Sequence, residues 1–258
     1  MLLLAFDTAT PAVTVAVHDG ARVLAQATTV DARRQGELLA SHIEKVLAQA
    51  GADLPELTAV VAGAGPGPYT GLRTGLVTAR VLGSALGIPV HGVCTLDVIA
   101  RDAAAAAAGR PFLVATDARR REVYWARYSA AGERLSGPGV AAPASLPPGF
   151  PAAGEGPIIH PGVGEPIEPR FPSAATLAGL AAGWLGAGPP AAGSLAAGPV
   201  TAGEAPADGL TAPRGLLPPE PLYLRRPDAR APGPPKSVLA AQDRAPRAPR
   251  AGSGVSPA

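Results

Sequence analysis

The chain has 258 residues, 47% of them hydrophobic and 16% charged, with a formal net charge of +2. No apolar run reaches the roughly 20 residues that a membrane helix requires. The start Leu2-Leu3-Leu4 meets Asp7 with no basic stretch before it and no cleavage site after it, so the expectation is a soluble, unexported, cytoplasmic protein. Cys94 is the only cysteine, which excludes an internal disulfide and a cysteine-rich metal cage.

Charge and proline are both unevenly placed. Residues 225–258 hold seven basic side chains against Asp228 and Asp243, a net +5, so the remainder sums to −3 and the pI near 9.0 describes an appendage. Five of the 31 prolines lie in residues 1–110 and the other 26 beyond, which marks the first 110 residues as the better specified lobe.

Leu2–Phe6 reads as a short buried strand that delivers Asp7, Thr8 and Thr10 at its end, where acid and hydroxyls point to the mouth of a site. Val13–Val17 alternates into Asp19-Gly20, a hairpin signal, and Arg22–Thr29 returns as a third antiparallel strand. Over Arg34–Ala50 the positions Leu38, Leu39, Ile43, Val46, Leu47 and Ala50 recur at helical spacing, with Gly51 beyond the end.

Leu57–Val61 is the next strand, and Gly63, Gly65 and Gly67 follow it, alternating with Ala64, Pro66 and Pro68, so the backbone can turn where a Cβ would clash. A helix over Thr70–Leu86 is expected, with Thr70 as its N-cap and Gly87 and Pro89 as its stop. Gly71, Gly75 and Gly83 share one side of it, each costing about 1 kcal/mol relative to alanine, so that side is expected to receive another backbone, as an interface would. An ordinary strand-loop-helix joint is the alternative. A phosphate loop fits less well, because Thr70 stands at the third glycine of GxGxxG and no lysine completes GxxxxGK[ST].

Val90–Val93 then leads to Thr95, which caps a helix over Leu96–Ala108. Phe112–Thr116 ends at Asp117, and Glu122–Ser129 pairs with it across residues 118–121, repeating the start of the chain in outline. Proline and glycine leave residues 132–172 as loop with one or two short strands. Ser173–Leu185 is a helix with Ser173 as cap, Leu222–Leu224 is strand-like, and residues 227–258, rich in Pro, Ala and Arg, are expected to be disordered.

His18, His42, His91 and His160 fit no metal spacing, GxSxG is absent, and nothing beside Cys94 marks it as a thiolate. Asp7 and Asp117 either face each other across a cleft that binds magnesium-nucleotide or each cap a turn.

The segments LLLAFDTAT (2–10), GAGPGPYTGLRTGL (63–76), GIPVHGVCTLDVIA (87–100), DARRREVYWARY (117–128) and PLYLR (221–225) resemble, in order, the landmarks of the TsaB (YeaZ) family. The resemblance implies an α/β fold of the actin-like ATPase (ASKHA, RNase H-like) type, with lobes 1–110 and 111–226 and the tail 227–258. It implies a non-catalytic scaffold for the TsaD subunit in forming N6-threonylcarbamoyladenosine at tRNA adenosine 37, with a TsaE-type P-loop ATPase, tRNA reached through the complex, a homodimer when alone, and no membrane.

On this reading Leu38, Leu39, Ile43, Val46, Leu72, Gly75, Leu76 and Ala79 face TsaD or a second copy. Asp7, Thr8 and Asp117 are a vestigial nucleotide cleft, with Ala9 where nucleotide-binding relatives have glycine. Thr95 and Ile99 replace two histidines of the catalytic relative, so no metal and no cofactor is expected on this chain alone, and both are expected on the partner subunits. Gln35 stands where the family often has a histidine. The alternative is an active enzyme of the same superfold, a phosphotransferase or a glycoprotease-like peptidase.

Overall fold

The computed structural model describes residues 1–186 and 215–225; the expected tail lies outside them. The first sheet is built from β1 (Leu3–Asp7), β2 (Ala12–His18), β3 (Val23–Val30), β4 (Ala59–Gly65) and β5 (Val90–Cys94). β1 to β3 form an antiparallel meander, β4 and β5 run parallel to β1, and the order is β3-β2-β1-β4-β5. The parallel steps need crossovers, and helices α1 (Gln35–Ala50) and α2 (Tyr69–Leu86) supply them.

Strand alternation sorts the core. Leu4, Phe6, Val60 and Ala62 point to α1 and α2, where Leu39, Val46, Leu72 and Ala79 pack on them, while Ala5, Val61 and Val93 point to the opposite face.

Helix α3 (Thr95–Ala106) leads to a second sheet of β6 (Phe112–Asp117), β7 (Val123–Tyr128), β8 (Arg134–Ala141), β9 (Pro151–Ala153) and β10 (Glu165–Ile167), in the order β10-β9-β6-β7-β8. Two antiparallel steps followed by two parallel ones repeat the first sheet strand for strand. The second copy is pared down: α4 (Gly156–Ile159) stands where the first has α2, and a 3₁₀ turn at Pro143–Ser145 stands where it has α1.

The eight-residue β8 falls in the stretch expected as loop with one or two short strands, and is longer than that expectation. Gly137-Pro138 sits in its middle and its pairing with β7 slips register twice, which hides the alternation.

The two halves exchange helices. Leu96, Ile99, Ala100 and Ala103 of α3 pack with Phe112, Val114, Ala126 and Tyr128 of the second sheet. In return Leu177, Ala178 and Ala181 of α5 (Ala174–Gly186), which by position belongs to the second lobe, cover Ala5, Val61 and Val93 of the first. Residues 215–225 then run back as a strap. Leu217 makes a two-bond antiparallel bridge to Gly92 (2.7 and 2.8 Å), Leu222 N–H donates to the Ala64 carbonyl at 2.9 Å, and Arg225 donates to the Ala118 carbonyl at 3.2 Å and pairs with Glu122. The strand expected at Leu222–Leu224 is therefore this strap, with its sheet pairing at Leu217.

Candidate functional site

The end of β1 is the most polar part of the first core. Asp7, Thr8 and Thr10 are 1–2% exposed. The Asp7 carboxylate accepts from the Ala9 N–H and from the Thr95 hydroxyl, both at 2.7 Å, and Thr95 Oγ1 accepts in turn from Gly65 N–H at 3.2 Å. Burial drives the Asp7 carboxyl up to about 6, with the hydrogen bonds from Thr95 and Ala9 opposing the rise. The Thr8 hydroxyl donates to the Gly71 carbonyl at 2.7 Å, and the Gln35 amide donates to the carbonyls of Thr8 (3.1 Å) and Thr10 (2.8 Å).

Glycine is required here by contact with the protein's own core. A Cβ on Gly63 would lie 1.9 Å from Asp7 Oδ2, one on Gly67 2.1 Å from the Ala9 carbonyl oxygen, and one on Gly75 2.5 Å from Thr8 Oγ1. The glycine loop thus closes directly over Asp7–Ala9. The mouth expected at this strand end is shut, because the glycines let the loop take the place above it.

Asp117 performs the same local task at the end of β6. Its Oδ1 accepts from Arg119 N–H at 2.9 Å, as Asp7 Oδ1 accepts from Ala9 N–H, so both acids cap an i to i+2 turn. Arg119 Nη1 lies 3.3 Å and His160 Nε2 3.4 Å from the Asp117 carboxylate, and burial raises the carboxyl of neighbouring Glu155. Each acid is held within its own lobe, which favours turn-capping over a cleft shared between them.

Burial pushes the Cys94 thiol up to about 12, which leaves it an unreactive thiol at neutral pH. Thr95 starts α3 with Cys94 as the N-cap, and Ile99 is core. Among the described residues, no group of three or more His, Cys, Asp or Glu is placed to hold a metal, and no helix is long and apolar enough to cross a membrane.

The helix pair requires a correction. Of the eight residues expected to face a partner, Leu39, Ile43, Val46, Leu72, Gly75, Leu76 and Ala79 are buried in the lobe's own core, and Leu38 is half-buried. The α2 glycines approach the protein's own sheet: Gly71 and Gly75 meet Thr8, and Gly83 meets Val90. Helix α2 begins at Tyr69 after Pro68, without the Thr70 side-chain cap.

The exposed side of the helix pair is the opposite one. It carries Val77 (57% exposed) and Val81 (60%) with Arg73 and Arg80 on α2, and α1 exposes Glu37, Ala40 and Glu44. The sequence held a signal for it: two valines four apart on what is otherwise the polar side of an amphipathic helix.

Two sheets of the same β3-β2-β1-β4-β5 order, each followed by a helix lent to the other, define a two-lobed protein of the actin-like superfold. A family model described as TsaD, tRNA N6-adenosine threonylcarbamoyltransferase, matches residues 22–160. The chain is 43% identical over 233 residues to an uncharacterized protein of Mycobacterium tuberculosis, covering 88% of this chain and 93% of that one. It is 35% identical over 128 residues to the tRNA threonylcarbamoyladenosine biosynthesis protein TsaB of Escherichia coli, covering 50% of this chain and 55% of that protein. The solved structure of YeaZ from Pseudomonas aeruginosa superposes with a TM-score of 0.62 at 29% identity, over 72% of this chain and 93% of that one. The chain belongs to the TsaB (YeaZ) family.

Proposed function

We infer that this chain is a non-catalytic partner subunit in the formation of N6-threonylcarbamoyladenosine on tRNA, acting in the cytoplasm with a TsaD-type catalytic subunit and a TsaE-type P-loop ATPase. The observation that carries the non-catalytic part is the closed β1 end. A nucleotide-using member of the superfold needs open backbone there, whereas here Asp7 to Thr10 are buried beneath their own glycine loop. Thr95 and Ile99 are engaged in the core. Metal and nucleotide accordingly belong to the partner subunits.

The partner surface is the outward side of α1 and α2. Exposed valines amid charge are the composition of a docking face. Glu37 and Glu44 on α1 share a seven-residue spacing with Arg73 and Arg80 on α2, so the face is complementary to itself. A surface of that kind fits isologous pairing with a second copy, or with a catalytic relative of the same fold.

Reconstitution tests the reading. A tRNA substrate incubated with the TsaD-type and TsaE-type subunits should acquire threonylcarbamoyl only when this chain is added, and this chain alone should neither hydrolyse ATP nor modify the tRNA. Modification by the chain alone, or an unchanged yield without it, overturns the reading.

A further inference from the structure

The strap and the start of α2 bring together a second surface, which meets the helix-pair face at Arg73. Tyr69 is 53% exposed and Tyr223 43%, yet their rings stack on each other with centroids 5.8 Å apart and planes 20° apart. The Arg73 guanidinium lies 4.4 Å from the Tyr69 ring centroid. Two residues beyond Tyr223, a reach of about 7 Å, Arg225 is anchored on Ala118 and Glu122 at the turn between β6 and β7.

That turn presents Arg119, Arg120 and Arg121, all exposed, at φ of 61°, 55° and 61°. Three successive left-handed residues are rare for any side chain but glycine, asparagine or aspartate, and they throw three guanidinium groups outward from one tight tip. Asp117 pairs with Arg119 and Glu122 with Arg225, and Glu220 is the one carboxylate of the strap. Arg120 is engaged as well, and among the described residues five guanidinium groups, those of Arg73, Arg119, Arg120, Arg121 and Arg225, stand against the carboxylates of Asp117, Glu122 and Glu220 along a belt that crosses from one lobe to the other, with two stacked aromatic rings at its centre.

We propose that this belt, from Arg73 through Tyr69 and Tyr223 to Arg119–Arg121, is a landing surface for single-stranded RNA. Only the identity of that RNA, the unpaired anticodon loop of tRNA, rests on the function inferred above. The chemistry is that of single-strand binding generally: exposed rings offer faces on which unpaired bases stack, and flanking arginines contact the phosphates. A protein partner is the lesser fit, because the exposed aliphatic residues of α2, Val77 and Val81, lie farther along the helix than this cationic end.

The test is fluorescence anisotropy on the full chain with two labelled RNAs of equal length, a hairpin with an anticodon-sized loop and a blunt duplex. The hairpin should bind more tightly. Tyr223→Ala should weaken hairpin binding by about fivefold or more and leave duplex binding unchanged, whereas Tyr223→Phe should retain the wild-type affinity. Arg120→Asn with Arg121→Asn, a replacement that tolerates the left-handed backbone, should weaken both RNAs and flatten the dependence of log affinity on log salt by about 1.5. The basic tail is present in every protein, so its contribution cancels.

Hairpin binding that is unchanged in folded Tyr223→Ala and in the arginine pair overturns the proposal, and so does loss of TsaD association in those variants with RNA binding intact, which would make the belt a protein interface. No partner subunit is present in the RNA assay, so its failure leaves the scaffold function untouched, and failure of reconstitution leaves the RNA result standing.

Discussion

Thr95, 88 residues away along the chain, donates its hydroxyl hydrogen to Asp7 at 2.7 Å and fastens the first turn of α3 to the end of β1. The carboxylate receives two donors and, among the described residues, pairs with no cation, and burial outweighs those donors.

Stability should therefore depend on pH in a particular direction. The Asp7 carboxyl is raised from 3.8 to about 6 in the folded protein, so between these values the unfolded chain gives up its proton first. The contribution of this group is greatest below about pH 4, declines as pH rises towards 6 and is flat above, a difference on the order of 3 kcal/mol. Asp7→Asn should be at least as stable as the wild type at pH 8, with the advantage vanishing near pH 4. Urea denaturation of both proteins across this range checks it; a wild type clearly more stable than the variant at pH 8 contradicts it.

Two helix glycines should respond in opposite ways. Gly75→Ala places a Cβ 2.5 Å from Thr8 Oγ1 and should destabilise by about 1 to 3 kcal/mol. Gly183 in α5 has nothing within 4 Å of a Cβ, so Gly183→Ala should stabilise by up to about 1 kcal/mol. Thermal melts of the two single variants read the contrast directly.

The two sides of the helix pair should separate folding from association. Leu39→Glu puts an unpaired carboxylate among buried apolar side chains and should unfold the protein or lower its Tm sharply. Val77→Glu and Val81→Glu should melt as the wild type does and weaken binding to the TsaD-type subunit by about tenfold or more, equivalent to 1.4 kcal/mol. Calorimetry of the two valine variants with wild-type affinity would remove α2 from the partner surface.

Arg134, its side chain 4% exposed, pairs with Asp97 at 2.8 Å, and the Tyr128 hydroxyl donates to the same carboxylate at 2.8 Å. This links α3 to the second sheet. Asp97→Ala should cost about 3 to 5 kcal/mol, because a buried guanidinium loses its carboxylate. Adding Arg134→Met should recover part of that loss, and a double variant less stable than the sum of the single ones would contradict a pairwise link.

The first half of the fold was legible because its strands alternate cleanly and its helices end at glycine, so Leu3–Asp7, Ala12–His18 and Gln35–Ala50 differ from expectation by a residue or so. The second was not, because β9 and β10 have three residues each, too few to show a period, and Gly137-Pro138 interrupts β8. The α2 glycines announced a close approach without saying to what. Leu72, Gly75 and Leu76 form one stripe on the helix, and a stripe of that kind fits a partner as well as a sheet until burial decides. Asp7 and Asp117 were visible as a pair of strand-end acids, but the Thr95 contact that buries one of them spans too many residues for any local pattern to show.

The exchange of α3 and α5 also sets an order of events on the ribosome. The first sheet is complete once Cys94 has been made, yet of the side chains that cover Ala5, Val61 and Val93 only Val98 of α3 follows at once, and Leu177, Ala178 and Ala181 of α5 come after the whole second sheet has left the exit tunnel. A nascent chain halted between the two sheets would hold most of one face of a finished sheet open to solvent, a surface that chaperones bind and that other nascent chains stick to. Translation speed through the proline-rich second half therefore governs how long that exposure lasts.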